Sequence, residues 1–315
     1  MRGRDGGCQA VMLIGFGGPT AAAEVRPFLN RVLAGRPVPR ERYEAVVRHY
    51  EAIGGRSPYN EITMRQAAAL QHKLRRMGMR APVVTAFRNM PPFFDDALRD
   101  LKQRGIRRAL GFVLAAHRSE ASWDRYLDEI ELARERLAWN AAEIEYPPPW
   151  HDDPAFVAAV ADRARAALER LDASTRERAE LVFTAHSIPV SMGGRAGYVE
   201  QLNQSARLVV QHLGRASWTI AFQSRSGSPR DAWLEPDVKD LLPRFSGGQV
   251  VLVPLGFLCD HVEVLYDLDI EAAKAAREAG VEMVRATTVG EHPKFIEMIA
   301  KIAGRYLSGA SSGAA

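Results

Sequence analysis

The sequence predicts an α/β protein of two similar halves, each a four-stranded parallel sheet flanked by helices, with a cleft between them. Three observations carry that reading. Short runs rich in Val, Ile and Leu alternate with longer amphipathic stretches along nearly the whole chain. That is the pattern of strands buried on both faces and joined by helical crossovers. The strand-like runs divide four and four around a proline-rich stretch, Tyr146 to Pro154, that regular structure does not tolerate. Finally, the chain has 315 residues, about twice the size of a common single domain.

The first run, Ala10–Phe16, ends in Gly17-Gly18-Pro19 and reads as a buried strand passing into a loop. Pro82–Phe87, Ala109–Ala115 and Ala142–Glu145 complete the first set. Leu181–Thr184, Trp218–Phe222, Val250–Leu255 and Val281–Arg285 form the second. Helical spacing falls on Glu61–Met77, Pro92–Arg104, Trp123–Leu137, Pro154–Leu171 and His261–Ala279. Two Rossmann-like domains follow, over residues 1–148 and 149–306, with a small-residue tail over 307–315 expected to be disordered. An internal echo, Leu114-Ala115-Ala116-His117 against Phe183-Thr184-Ala185-His186, places a histidine at a strand end in each half. In such sheets ligands bind beyond the carboxyl ends of the strands, so functional residues should follow the apolar runs.

Composition narrows the function. The chain is 47% hydrophobic and 25% charged, with a net charge of +4 from scattered basic residues. No stretch interleaves basic and aromatic side chains as a nucleic-acid surface would, so mild attraction for an acidic small molecule is expected instead. Two cysteines, Cys8 and Cys259, are too few for a disulfide framework, a zinc site or an iron–sulfur cluster, and they fit a reducing compartment. The polar segment Met1 to Gln9 and the short apolar run after it resemble neither a signal peptide nor a membrane span. A cytoplasmic protein without stable membrane insertion is expected, and the lack of heptads suggests a monomer. G-x-G-x-x-G and Gly-Lys-Ser/Thr are both missing, which removes the main support for nucleotide binding.

Four segments could carry chemistry. In Thr184-Ala185-His186-Ser187-Ile188-Pro189, an imidazole directly after a buried strand could ligate a borderline metal or accept a proton; the alternative is a cleft histidine bonded to backbone. From Pro254 to Glu271, a helix starting near an Asp260 cap would put Glu263, Asp267 and Glu271 at i, i+4 and i+8 on one face. A solvated acidic face is the commoner explanation of such a stripe. Glu263, however, lies in the first turn after a buried strand, among Val262, Val264 and Leu265. His261 completes the turn at most, and His117 is a weaker ligand candidate. In Tyr50 to Pro58, Gly54-Gly55 and Ser57-Pro58 make a tight loop that could hold an acidic group. Phe222 to Gly227 with Trp233 forms a polar loop after a strand, where Trp233 either reads ligand or plugs the core.

Together these segments resemble the ferrochelatase family from about Val11 to Ile302. The signatures are Phe16-Gly17-Gly18-Pro19, Tyr50 through Pro58, Ala185-His186-Ser187-Ile188-Pro189, Gln223-Ser224-Arg225-Ser226-Gly227, Trp233-Leu234-Glu235-Pro236 and Asp260-His261-Val262-Glu263. Six motifs in family order are specific, and they are most similar to the coproporphyrin ferrochelatases of Gram-positive, actinobacterial-type bacteria. The resemblance implies a type II chelatase-like fold and a lyase that inserts Fe²⁺ into coproporphyrin III to give coproheme in heme biosynthesis. The alternatives are a protoporphyrin IX ferrochelatase giving protoheme, a cobalt chelatase, or a tetrapyrrole-binding protein without catalysis.

Carried over residue by residue, the resemblance makes His186 and Glu263 the catalytic and metal pair, facing each other from opposite walls of the cleft. Asp267 and Glu271 become an outer cation track. Phe16, His49, Tyr50, Arg56, Ser57, Tyr126 and Phe257 become porphyrin contacts, Ser57 and Tyr126 toward the propionates. Phe16 stands where Firmicute enzymes have an axial tyrosine, so no tyrosinate ligand comes from that position. His49 replaces an arginine of the outer metal site. The cluster cysteines of many relatives are missing. Iron is therefore a substrate, with no tightly bound cofactor and no iron–sulfur cluster. His186 is expected to take the pyrrole protons while Glu263 guides iron, with the reverse assignment open.

Overall fold

The computed structural model describes residues 6–35, 37–137, 141–193, 197–226 and 231–309. The apolar runs become β1 (Ala10–Gly15), β2 (Val83–Phe87), β3 (Arg108–Val113) and β4 (Glu143–Glu145), then β5 (Glu180–His186), β6 (Thr219–Gln223), β7 (Gln249–Val253) and β8 (Glu282–Arg285). All eight fall on the expected segments. Continuous burial of Ala10 to Gly15 and of Val250 to Val253 reflects strands covered on both faces. The strands form two four-stranded parallel sheets, ordered β2-β1-β3-β4 and β6-β5-β7-β8.

The helices are α1 (Ala22–Leu33), α2 (Arg40–Ala52), α3 (Tyr59–Arg76), α4 (Phe94–Gln103), α5 (Arg125–Leu137), α6 (Pro154–Leu168), α7 (Val190–Gly193), α8 (Tyr198–His212), α9 (Val238–Leu241), α10 (Val262–Leu265), α11 (Ala273–Glu278) and α12 (Pro293–Leu307). The single helix expected over His261–Ala279 is divided. A π-helical segment, Asp267–Ala272, separates α10 from α11. Helix α12 runs to Leu307, and the expected tail beyond residue 309 lies outside the described residues.

The proline-rich stretch between the sheets is not a loose hinge. Trp150 stacks on Phe112 with ring centroids 5.2 Å apart and meets Phe156 edge-on. One apolar core consequently runs through both halves, and α12 returns to pack on α3 as well as on α6. Across the same seam Arg65 makes a two-pronged contact with Glu291 (2.8 and 3.1 Å), and Gln66 donates to the Gly290 carbonyl at 2.8 Å.

His117 belongs to this seam. It lies past β3, is 4% exposed, and its Nε2 is 3.0 Å from the Ser205 hydroxyl on α8. Burial, with nearby His151, drives its pKa down to about 3. The folded state therefore keeps it neutral, while the unfolded chain protonates it below about 6.5. The sign follows: stability is lost as pH falls below that value, by up to about 1.4 kcal/mol per pH unit from this group. Denaturant midpoints for wild type and His117→Gln between pH 7.0 and 5.5 should show a shallower pH slope in the variant; identical slopes would refute the assignment.

Candidate functional site

In each sheet the strand order reverses between the first and third strands, the place where a crevice opens beyond the strand ends. His186 is the last residue of β5, one of the two strands flanking that point in the second sheet. The chain leaving β7, the other, passes directly against it. Gly256 makes this possible: a Cβ there would lie 2.7 Å from the Ala185 Cβ and 2.8 Å from its Cα. The Gly256 amide donates to the Thr184 carbonyl at 3.0 Å. Phe257 to Glu263 are thereby laid beside the end of β5.

His186 Nδ1 lies 2.5 Å from the Ser187 carbonyl, an acceptor, so Nδ1 carries a proton. The Tyr198 hydroxyl donates to the His186 carbonyl at 3.1 Å. Nε2 is then aimed at Glu263, 3.6 Å from Oε1. Glu263 is held by its backbone: its amide donates to His261 Nδ1 at 3.2 Å, and its carbonyl accepts from the Gln223 amide. His261, rather than Asp260, caps α10. Asp260 instead pairs with Arg285 at 3.3 Å.

The two side chains do point at one place, but not from opposite walls. Both rise from the C-terminal half, because β5 and β7 are neighbours in one sheet. They retain 30% and 35% exposure, so a solute can reach them. An ion held by both at about 2.1 Å would subtend an N–metal–O angle of roughly 120° at this separation. No group of three or more His, Cys, Asp or Glu residues able to hold a metal occurs among the described residues. Two recesses of about 410 and 340 Å³ lie elsewhere, at Cys8–Met79–Leu307 and at Met64–Val83–Asp100.

Burial disfavours charge on both members of the pair, yet their mutual attraction outweighs it. The imidazole rises to about 9, helped by the Ser187 carbonyl, and the Glu263 carboxyl is held below its ordinary value. Both shifts favour an imidazolium beside a carboxylate at neutral pH. Asp267 follows on the π segment and accepts a hydrogen bond from the Ser224 hydroxyl. Burial first, then the charges of Glu263 and Glu271, push it up to about 7. The acidic stripe is thus preserved within electrostatic reach, although the helix carrying it is not continuous.

The other expected contacts divide. Phe16, after β1, is half-buried and packs edge-on against Phe28, ring centroids 6.1 Å apart. Arg56 is exposed and has no ion-pair or hydrogen-bond partner among the described residues. His49 lies flat on Tyr266; burial, with Arg48, holds its pKa below the ordinary value. Tyr50 is 3% exposed inside a cluster with Phe28, Val47 and Phe87, and so contributes to packing behind the wall. Ser57 is also buried: its amide donates to the Pro19 carbonyl at 2.7 Å, and its hydroxyl receives the Tyr59 amide at 3.3 Å. A Cβ on Gly18 would come within 2.7 Å of that hydroxyl, which seats this loop tightly.

Tyr126 and Phe257 are likewise mostly covered, Tyr126 edge-on to Phe94 and Phe257 edge-on to His261 at 5.0 Å. Trp233 is 8% exposed and carries the Arg225 guanidinium 5.9 Å above its ring. His117 faces the seam between the halves rather than the crevice. Sequence reasoning missed Tyr198 and Gln223 as supports of the pair. Only Gln223 left a signal, as a polar residue ending an apolar run.

A pair of parallel sheets whose switch point presents an imidazole and a carboxylate to one spot defines a protein of the chelatase class. The SirB structure from Bacillus subtilis with Fe³⁺ shares the fold, with a TM-score of 0.62 over 96% of this chain and 97% of its own, at 14% identity. The chain belongs to the ferrochelatase family, whose model matches residues 8–307. A ferrochelatase of Rhodopirellula baltica is 41% identical over 91% of this chain and 83% of that protein. A coproporphyrin III ferrochelatase of Mycolicibacterium smegmatis is 39% identical over 95% and 90%, and one of Nocardia farcinica 38% over 96% and 89%. Among the described residues no helix is long and apolar enough to cross a membrane.

Proposed function

We propose that this protein inserts ferrous iron into coproporphyrin III to give its iron complex. The carrying observation is the His186–Glu263 pair, 3.6 Å apart and one-third exposed at the sheet's switch point. Insertion requires two pyrrole protons to leave while Fe²⁺ sheds water, so the site must offer a base and a ligand together. Imidazole and carboxylate suit Fe²⁺, and the ring nitrogens complete its coordination. Two protein ligands are then enough.

The resting charge state favours Glu263 as the first proton acceptor, because His186 already carries both ring protons and Glu263 is ionised. This reverses the expected assignment. Glu263 passes each proton in turn to the solvent that reaches the pair, and His186 becomes a ligand once its Nε2 proton has left through Glu263 in the same way. Clamping the macrocycle bent would expose its lone pairs, using binding energy from remote contacts. Asp267 and Glu271 form the outward acidic track for the incoming cation.

Coproporphyrin III as substrate rests on the names of the Mycolicibacterium and Nocardia relatives. Four propionates also suit the exposed guanidinium of Arg56 beside the Gly18–Ser57 loop. No tightly bound cofactor is proposed. Both thiols are buried and held protonated, with pKa values pushed up to about 12, and two cysteines cannot supply four cluster ligands. Steady-state Fe²⁺ insertion into coproporphyrin III and protoporphyrin IX tests the reading. Coproporphyrin should have the higher kcat/KM, by about tenfold or more if its extra propionates are bound by charge-assisted hydrogen bonds. A preference for protoporphyrin would overturn the substrate, and no insertion into either ring would overturn the enzyme.

A further inference from the structure

Near the metal pair, the N-terminal half reaches the acidic segment through a ring stack. His49, on α2, lies on the Tyr266 ring with centroids 3.7 Å apart and planes within 12°. His49 makes no side-chain hydrogen bond among the described residues, so the ring face is what it contributes. Tyr266 occupies a special position. Its amide closes α10 by donating to the Val262 carbonyl at 2.8 Å, and its own carbonyl accepts from both Ile270 (3.1 Å) and Glu271 (3.0 Å). Those are i+4 and i+5 donors. The change from α to π register therefore begins at this carbonyl, immediately before Asp267.

π turns are rare and are not held by local propensity. The segment would revert to plain α-helix if its i+5 bonds, Glu271 to Tyr266 and Ala273 to Leu268 among them, were lost. That would advance every later side chain by one position, about 100° around the axis, and would pull on the short α10 that presents Glu263. Ser224 on Asp267, Arg285 on Asp269 at 2.6 and 2.7 Å, and the burial of Leu268 and Ala272 in the core anchor the segment beyond the junction, while the His49 ring meets the junction itself. Val262, at the start of α10, packs against the apolar cluster that α1, α2 and Phe87 form.

We propose that His49 is a positioning residue for iron insertion: its ring clasps Tyr266 and keeps the α-to-π junction in register, so that Glu263 and Asp267 stay aimed toward His186. The N-terminal half thus sets the geometry of a metal site made wholly by the C-terminal half. This rests on the chelatase reading for its catalytic consequence but not for its structural one.

The test uses the full chain as wild type, His49→Ala and His49→Phe, read by amide hydrogen exchange and by kinetics with Fe²⁺ and coproporphyrin III. In His49→Ala, exchange over residues 270–272 should speed up by about tenfold, the scale of one lost aromatic contact. Its kcat should fall by about tenfold with the porphyrin KM little changed, the signature of an interaction spent on the reacting geometry. His49→Phe keeps an aromatic face and should restore both. Three results would overturn the proposal: His49→Phe as impaired as His49→Ala, which would make an imidazole nitrogen the active group; unchanged exchange in His49→Ala; or a porphyrin KM that moves instead of kcat. If wild type inserts no iron, the chelatase reading fails while the exchange comparison still decides the clasp.

Discussion

Replacing His186 by alanine is expected to lower iron insertion by about 10²- to 10⁴-fold, the range spanned by a positioned proton-transfer group. Porphyrin binding should survive, because no expected porphyrin contact is lost with the imidazole. The size of the effect follows from two losses at once. One is the nitrogen aimed at the crevice. The other is the cation that holds the Glu263 carboxyl below its ordinary pKa. With His186 gone, burial is left to dominate at Glu263 and favours its neutral form. Fluorescence quenching of coproporphyrin III and steady-state insertion, measured on the same preparation, separate binding from chemistry. Near-normal turnover in this variant would end the proposed mechanism.

Glu263→Gln should be comparably damaging, again by about 10²- to 10⁴-fold, with a distinct spectroscopic signature. The amide has the carboxylate's shape, and the bonds from residue 263 to His261 and Gln223 use backbone atoms only. The cap of α10 should therefore remain. What disappears is the negative charge that raises His186 to about 9 against the opposing pull of burial. Burial then prevails, and His186 should titrate well below its wild-type value, becoming neutral at physiological pH. Imidazole NMR titration of wild type and variant reads this directly. A His186 still titrating near 9 in the variant would show that Glu263 is not its counter-ion.

Much of this protein was legible as text because its strands are covered on both faces. Val11 to Ile14 and Val250 to Val253 must be apolar whatever surrounds them, so their runs announce eight strands and a divide near Trp150. His186 was legible for a related reason, since a polar residue at the end of a buried run has no local purpose. The echo between His117 and His186 misled. Strand orders β2-β1-β3-β4 and β6-β5-β7-β8 make β5 the counterpart of β1, not of β3. His117 accordingly sits at a different topological position and is buried in the seam.

The identities of the paired imidazole and carboxylate, the two-sheet plan and the family signatures were determined by sequence alone, through burial and local chemistry that act over a few residues. Only the tertiary structure decided that His186 and Glu263 share one wall, that His261 rather than Asp260 caps α10, that Tyr50 and Ser57 pack behind the surface, and that a π segment interrupts the acidic helix. Each of those depends on groups far apart in the chain, as with Gly256 against Ala185, Gln223 against Glu263 and His49 on Tyr266. Packing between distant segments leaves no period in the sequence, because the partner that fixes each position is not its neighbour.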